Sequence, residues 1–451
     1  MTSTSAAEAA PSPGGAARLT GWFDPRGLAT RLVTAGLFET SVVYERDWTW
    51  SVAGGRRRHI ELFADRIRID SDGCAPTTSR RTVDDPVAEL RAALGAVARP
   101  WRAYGWLAFE FAYAADHRPV PRDAPLAQFV VPVAQLRLRT DSVEVDCEDQ
   151  ALRERILHTV TTSTPMPFPV PASVDVEMSD PGPYLRAVEA AVAGIRRHDL
   201  EKVILSRRVP VPFDLDYPAT YLLGRAAHTP ARSFLLDLPG MRAAGFSPET
   251  VVEVSTEGHV RTQPLAGTRL RTGEATADAA ALAELTTDPK EIYEHAVSVK
   301  LADTELRTVC TPASVSVSDF MSVKSRGSVH HLASAVGGRL RAGLTGWDAL
   351  AALFPAVTAS GIPKPAAYDL IASLEEAPRG LYSGAVVTAA DDGTLDAALA
   401  LRTVYTQDGR TWLRAGAGVV AASRPEREYP ETCEKLASVA PYLVPIRRSP
   451  R

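Results

Sequence analysis

Cysteine is scarce in this 451-residue chain, and its four copies, Cys74, Cys147, Cys310 and Cys433, lie far apart with no Cys-x-x-Cys pair. That spacing argues against a zinc site and against a disulfide framework, and it points to a reducing compartment, the cytoplasm. No apolar run reaches the roughly 20 residues that a membrane helix requires. An excess of basic charge is missing too. Lys and Arg total 50 against 54 for Asp and Glu, a net charge of −4. No broad positive field is therefore present to attract nucleic acid or a membrane surface. Residues 1–17 are rich in Ala, Ser, Pro and Gly and lack the apolar centre of a signal peptide. They read as a disordered tail.

What remains is an ordinary globular composition, 45% hydrophobic and 23% charged. Residues 18–160 read as a β-rich part, mostly strands and turns. Ile60 to Phe63 and Arg66 to Ile69 alternate as half-buried strands do, and Gly54-Gly55 reads as a turn. Tyr104 to Phe111 is strongly apolar with one carboxylate, Glu110. Residues 161–175 carry Pro165, Pro167, Pro169 and Pro171, an extended connection and the best internal boundary. In 176–445, Leu185, Val188, Val192 and Ile195 recur at helical spacing, and a helix there ends near Asp199. The strand Lys202 to Leu205 follows, then Val251 to Val254. A helix is predicted over Pro289 to Val309, and Thr358 to Lys364 is a loop that opens another over Ala366 to Leu374.

Several residues could carry chemistry. Glu291 and Glu294 are three apart on one predicted helix, Glu428 and Glu431 on another, so each pair shares a face. Carboxylates without cysteine suit a hard cation such as Mg²⁺, although a solvated helix face is the commoner explanation of any single pair. Ser423 and Glu426 look like a capping box, and Pro430 should delay the start of that helix to about Tyr429. Glu431 is then the firmer ligand. Lys202, flanked by Val203, Ile204 and Leu205, could be desolvated, which lowers a lysine pKa from about 10.4 towards that of a working base. An exposed edge lysine is the plainer reading. Glu249 after Ser247-Pro248 is a candidate proton donor or simply a turn-capping acid. Arg402 and Tyr382 could hold a carboxylate. Gly416 and Gly418 could offer backbone N–H groups to an anion.

In order along the chain, these segments resemble one family. They include Lys202-Val-Ile-Leu-Ser-Arg, Gly245-Phe-Ser-Pro-Glu, Gln263-Pro-Leu-Ala-Gly-Thr-Arg and Lys290-Glu-Ile-Tyr-Glu-His. Arg326-Gly-Ser-Val-His-His, Phe354 to Lys364, Arg379-Gly-Leu-Tyr-Ser-Gly, Arg414-Ala-Gly-Ala-Gly and Glu431-Thr-Cys-Glu-Lys continue the series. The family is the chorismate-utilising enzymes: anthranilate, aminodeoxychorismate, isochorismate and salicylate synthases. The likeness spans about Tyr184 to Leu443, with Gly105 to Glu110 adding to it, and it is greatest to siderophore-type salicylate synthases.

The resemblance implies a single large α/β (α+β) domain of two packed mixed sheets with helices outside, which overrules a split at the Pro-rich connection. It implies that Lys202 is the base that activates water and Glu249 the acid for the leaving hydroxyl. It implies Mg²⁺ on Glu294, Glu428 and Glu431. Substrate would be held by Gly267, Thr268, His331, Thr358, Tyr382, Arg402, Gly416, Ala417, Gly418 and Lys435. The lysine at 202 and the absence of a nucleophile at Ala266 favour water addition, giving isochorismate and then salicylate plus pyruvate. An isochorismate synthase without lyase activity, or an ammonia-using synthase, is the alternative. Chorismate is the only implied partner: a monomer is expected, with no nucleic acid or membrane.

Overall fold

A computed structural model describes residues 10–11, 16–81, 85–162, 168–177, 180–197, 200–326 and 329–446, with side chains omitted at 10–11 and 270. Two twelve-stranded sheets dominate it. In the first, the strand Ser41–Arg46 lies between Thr49–Gly54 and Arg232–Leu238, and Met241–Ser247, Thr403–Gln407, Arg410–Val419 and Lys202–Pro210 follow outward. In the second, Val329–Arg339 pairs with Leu265–Leu270, His259–Thr262 and Ser316–Arg326, and the sheet continues through Thr250–Val254, Leu395–Leu399, Ala385–Ala390 and Arg102–Leu107.

The expected fold class is what the structure has, with one correction. Every strand pairing among the described residues is antiparallel, not mixed. Strands of residues 18–160 occur in both sheets beside strands of the later part.

Alternation along each strand builds the layers. Phe234, Leu236 and Leu238 join Val42, Tyr104, Trp106, Val386 and Ala398 in a buried cluster between the sheets. Leu235 points the other way, under Leu28, Leu32, Tyr217 and Tyr221 of the helices Pro25–Thr34 and Tyr217–Ala227. Each such side chain contributes about 1.5–3 kcal/mol on burial, and truncating Leu236 to Ala would cost about 2–5 kcal/mol. A buried carboxylate pins the layers together: Asp396 of the second sheet accepts from Arg232 of the first at 2.7 and 2.8 Å and from the Tyr44 hydroxyl.

Residues 18–160 hold more helix than their alternation suggests. Pro25–Thr34, Pro86–Gly95 and Gln150–Thr161 are all helical. The signal was the acid before each start. Asp85 and Asp149 accept from the Val87 and Leu152 amides, and Pro25 and Pro86 open their helices. A second correction concerns Pro430. The helix Pro425–Ala437 starts five residues before it and runs through it, with Arg424 rather than Ser423 at the cap. Ser423 instead accepts from the Val420 amide at 3.1 Å. Burial of Glu428, Thr432, Cys433 and Leu436 on one face holds the helix across the missing amide.

Most of the expected tail, Pro165 and Pro167 of the Pro-rich connection, and Asp199 lie outside the described residues. Residues Ala16–Thr20 form a strand. Within the described part of the Pro-rich connection, the Ala172 amide donates to the Leu443 carbonyl at 2.8 Å. Among the described residues no helix is long and apolar enough to cross a membrane.

Candidate active site

The end of the first sheet and the end of the second meet at a cavity of about 420 Å³. Lys202 opens the strand Lys202–Pro210 and is only 1% exposed. Its ammonium lies 2.8 Å from Glu294 Oε1 and donates weakly to Ser298 Oγ at 3.5 Å. The lysine is therefore buried but paired, neither isolated among apolar neighbours nor at an exposed edge.

Glu249 occupies the crossing between the sheets, after the strand Met241–Ser247 and before Thr250–Val254. The Ser247 hydroxyl fixes this turn, lying 2.6 Å from the Leu399 carbonyl and 2.8 Å from that of Glu249. Burial pushes the Glu249 carboxyl up to about 8, against a hydrogen bond from Thr358 Oγ1 at 2.7 Å and the charge of Lys202. Burial thus favours the protonated form of Glu249 at neutral pH.

Arg402 follows the strand Leu395–Leu399 in left-handed conformation, φ 49°. Its NH2 donates to His331 Nε2 at 2.7 Å and its NH1 to the Arg326 carbonyl at 3.4 Å. Among the described residues no carboxylate pairs with it. Burial, helped by Arg326, lowers it to about 10. It remains a cation without a counter-ion, a costly arrangement that an anionic ligand would relieve. Because a guanidinium only donates, His331 Nε2 accepts, and its Nδ1 carries the proton towards Thr268 Oγ1 at 3.1 Å. Burial, and next Arg402, hold His331 well below the usual range, so it is neutral.

Across the cavity the strand Arg410–Val419 presents glycines where side chains would block it. A methyl on Gly416 would stand 3.0 Å from the Tyr382 hydroxyl, and one on Gly418 2.6 Å from Glu294 Oε1. Gly267, at φ 80°, passes under Glu291 in the same way. Lys435 donates to Glu431 Oε1 at 2.7 Å and to the Gly416 carbonyl at 2.9 Å.

Thirteen of the fifteen residues expected at the site line this one cavity: Lys202, Glu249, Gly267, Thr268, Glu294, His331, Thr358, Tyr382, Arg402, Gly416, Gly418, Glu431 and Lys435. Ala417 does not, since it alternates to the far side of its strand and is fully buried. Nor does Glu428. It is buried behind the wall, 3.4 Å from Lys290 Nζ, and among the described residues its Oε2 has no hydrogen-bond partner. Burial pushes the Glu428 carboxyl up, with Lys290 opposing and Glu431 reinforcing the rise. Lys290 and Arg269 were not anticipated. Arg269 takes Glu291 at 3.0 Å and Asp288 at 2.8 Å, so Glu291 faces a cation.

No three acidic, histidine or cysteine side chains among the described residues converge as a ready-made metal cluster. The donor set still suits a hard divalent cation: carboxylates only, each balanced by a lysine, with one buried oxygen left unsatisfied.

The profile of the chorismate binding enzymes matches residues 44–441 of the chain. A salicylate synthase of Mycolicibacterium paratuberculosis is 44% identical over 430 residues, 93% of this chain and 94% of the relative. Among solved structures, anthranilate synthase component I from Streptococcus pneumoniae superposes with a TM-score of 0.75 at 25% identity, covering 88% of this chain and 92% of that one. The menaquinone-specific isochorismate synthase of Escherichia coli shares the fold, with a TM-score of 0.70 at 18% identity over 95% of each chain.

Proposed function

The chain belongs to the chorismate-binding enzymes, and from that premise we propose that it converts chorismate to isochorismate and then to salicylate and pyruvate. One observation supports the first step most directly. A buried acid protonated at neutral pH, Glu249, and a buried lysine, Lys202, line the same cavity as an uncompensated arginine. Water adds at C2 while the ring double bonds shift and the C4 hydroxyl departs. Lys202, as the free amine, takes the proton of the attacking water, for which its pair with Glu294 must open. Glu249 supplies a proton to the leaving hydroxyl, so one water enters and one leaves.

Chorismate carries two carboxylates. Arg402, held by neutral His331, takes one of them, with Tyr382 and the lane of Gly416 and Gly418 beside it. We assign Mg²⁺ to Glu294 and Glu431, with Glu428 behind them; when bound it supplies positive charge for the other carboxylate. Gly267, Thr268, Thr358 and Lys435 shape the remaining wall. In the second step the C2 hydrogen passes to the enolpyruvyl methylene as the C3–O bond breaks. That transfer needs a shaped pocket rather than a further acid or base. At position 266 the chain offers a buried alanine and no nucleophile, which supports water over an amine.

The 44% identity to a salicylate synthase over nearly the whole chain supports the two-step reading. A cytoplasmic monomer serving siderophore or secondary-metabolite biosynthesis, with no nucleic-acid or membrane partner, completes the proposal. Purified protein incubated with chorismate and Mg²⁺ should yield salicylate and pyruvate, resolved by chromatography, and none with EDTA. Isochorismate without pyruvate removes the lyase half. Turnover unchanged in Lys202→Gln removes the base.

A further inference from the structure

Behind the cavity lies a cluster of charged side chains that the reaction scheme leaves unused. Arg379, of the Arg379-Gly-Leu-Tyr motif, is 2% exposed. Its NH1 donates to the Ala359 carbonyl and its NH2 to the Ile204 carbonyl, both at 2.7 Å. Ala359 adjoins Thr358, the hydrogen-bond partner of Glu249, and Ile204 lies two residues from Lys202 on the same strand. A single guanidinium therefore ties the backbone beside the acid's partner to the backbone beside the base.

The guanidinium is itself held on every side. Glu375 accepts from Arg379 Nε at 2.9 Å and NH2 at 2.6 Å, from Arg414 at 2.6 Å, and from the Ser206 amide and hydroxyl at 2.8 Å. The Arg379 and Gly380 amides donate to Glu110 at 2.6 and 3.0 Å. The plane lies over the Phe109 ring at 4.4 Å. Two arginines against the covered Glu375 side chain, with the buried Glu110 beside them, make a clamp. A salt pair meant only for stability has no need to spend two donors on those particular carbonyls.

We propose that Arg379, anchored by Glu375, is a positioning residue that sets Thr358 against Glu249 and holds the Lys202 strand in register with it. The proposal rests on the reading of Glu249 as the acid. Lysine has one donor centre and cannot span both carbonyls, so Arg379→Lys keeps the charge and removes the fork. Misplacing reacting groups by about 1 Å costs roughly 10²-fold in rate. Arg379→Lys should therefore lower kcat by that order while KM for chorismate changes less than about threefold.

It should also move the alkaline limb of kcat/KM upward, because a loosened Thr358 no longer stabilises the Glu249 carboxylate. Combined with Thr358→Val, the limb should move no further than with Thr358→Val alone, as expected for two changes acting through one bond. Glu375→Gln, which weakens the anchor but keeps its shape, should shift the limb in the same direction by less. It carries the test if the lysine variant does not fold. If Thr358→Val moves the limb while neither clamp variant does, or if the shifts add in full, the positioning role is wrong. If Thr358→Val itself leaves the limb in place, this hydroxyl does not tune Glu249 and the positioning role falls with it; unchanged kcat in Glu249→Gln is the separate result that removes Glu249 as the acid.

Discussion

Replacing Thr358 with valine removes one hydroxyl and keeps the shape of the side chain. That hydroxyl donates to Glu249 Oε1 at 2.7 Å, and a bond to the ionised form favours it. Hydrogen bonds to charged groups contribute about 1.5–3 kcal/mol, and one pKa unit corresponds to about 1.36 kcal/mol. Without the bond, Glu249 should rise from about 8 by roughly one to two units. Glu249 works as a donor, so rate is lost on the alkaline side, where it ionises. The alkaline limb of kcat/KM, which reports the free enzyme, should accordingly move from near pH 8 towards 9 or above. Arg402, held near about 10, caps the visible shift as it begins to lose its own charge. At pH 7 both proteins have the acid protonated, and the rates should differ by less than about tenfold. The assay is initial salicylate release across pH 6 to 10.5 at several chorismate concentrations. A limb that stays in place, or moves down, refutes the argument that this hydroxyl tunes the acid.

Glu249→Gln should reduce kcat by at least about 10²-fold, measured by chromatography of products. The same change carries a stability signature. The folded value of about 8 stands above the 4.5 of an ordinary glutamate, so the wild-type contribution is whole below pH 4.5 and lost as pH rises through 8. Urea denaturation of the two proteins should diverge in favour of the glutamine variant from about pH 4.5 to about 8 and differ by a constant amount above that. Arg402→Met removes a half-buried cation that has no carboxylate partner among the described residues. KM for chorismate should rise at least about 30-fold, from a lower bound of about 2 kcal/mol, while the melting temperature rises; a fall in both sinks the counter-ion argument. Gly418→Ala places a methyl 2.6 Å from Glu294 Oε1. The Mg²⁺ concentration for half-maximal activity should rise about 10- to 100-fold, and an unchanged Mg²⁺ titration would remove Glu294 from the ligand set.

Some of this was legible in the chain itself. The helix Pro289–Val309 follows its apolar spacing, and its start is written in Asp288 and Pro289. The strands read at Ile60 to Phe63, Arg66 to Ile69 and Val251 to Val254 form as Arg58–Leu62, Arg66–Ser71 and Thr250–Val254, with Phe63 just past the end of the first. The convergence of Lys202, Glu249 and Arg402 is not local information, and only the ordered motifs pointed to it. Pro430 misled because local sterics favour a break, whereas the buried face of Glu428, Thr432 and Leu436 outweighs one lost amide bond. Glu375 gave no signal, since an acid after a helix normally faces water. Tertiary packing around Arg379 and Arg414 is what makes it a buried anchor.

The pairing of Ser41–Arg46 with Arg232–Leu238 has a consequence for how the protein is made. An early strand must wait for a partner encoded some 190 residues later, and at about 5–20 residues per second that wait is about 10–40 s on the ribosome. Arg102–Leu107 waits longer, for Ala385–Ala390. During that interval Val42, Val43, Tyr104 and Trp106, all fully covered in the finished sheets, face solvent on unpaired edges. Slower translation would lengthen the exposure and faster translation would shorten it. Yield in a heterologous host should therefore follow chaperone supply more closely than the stability of the completed fold.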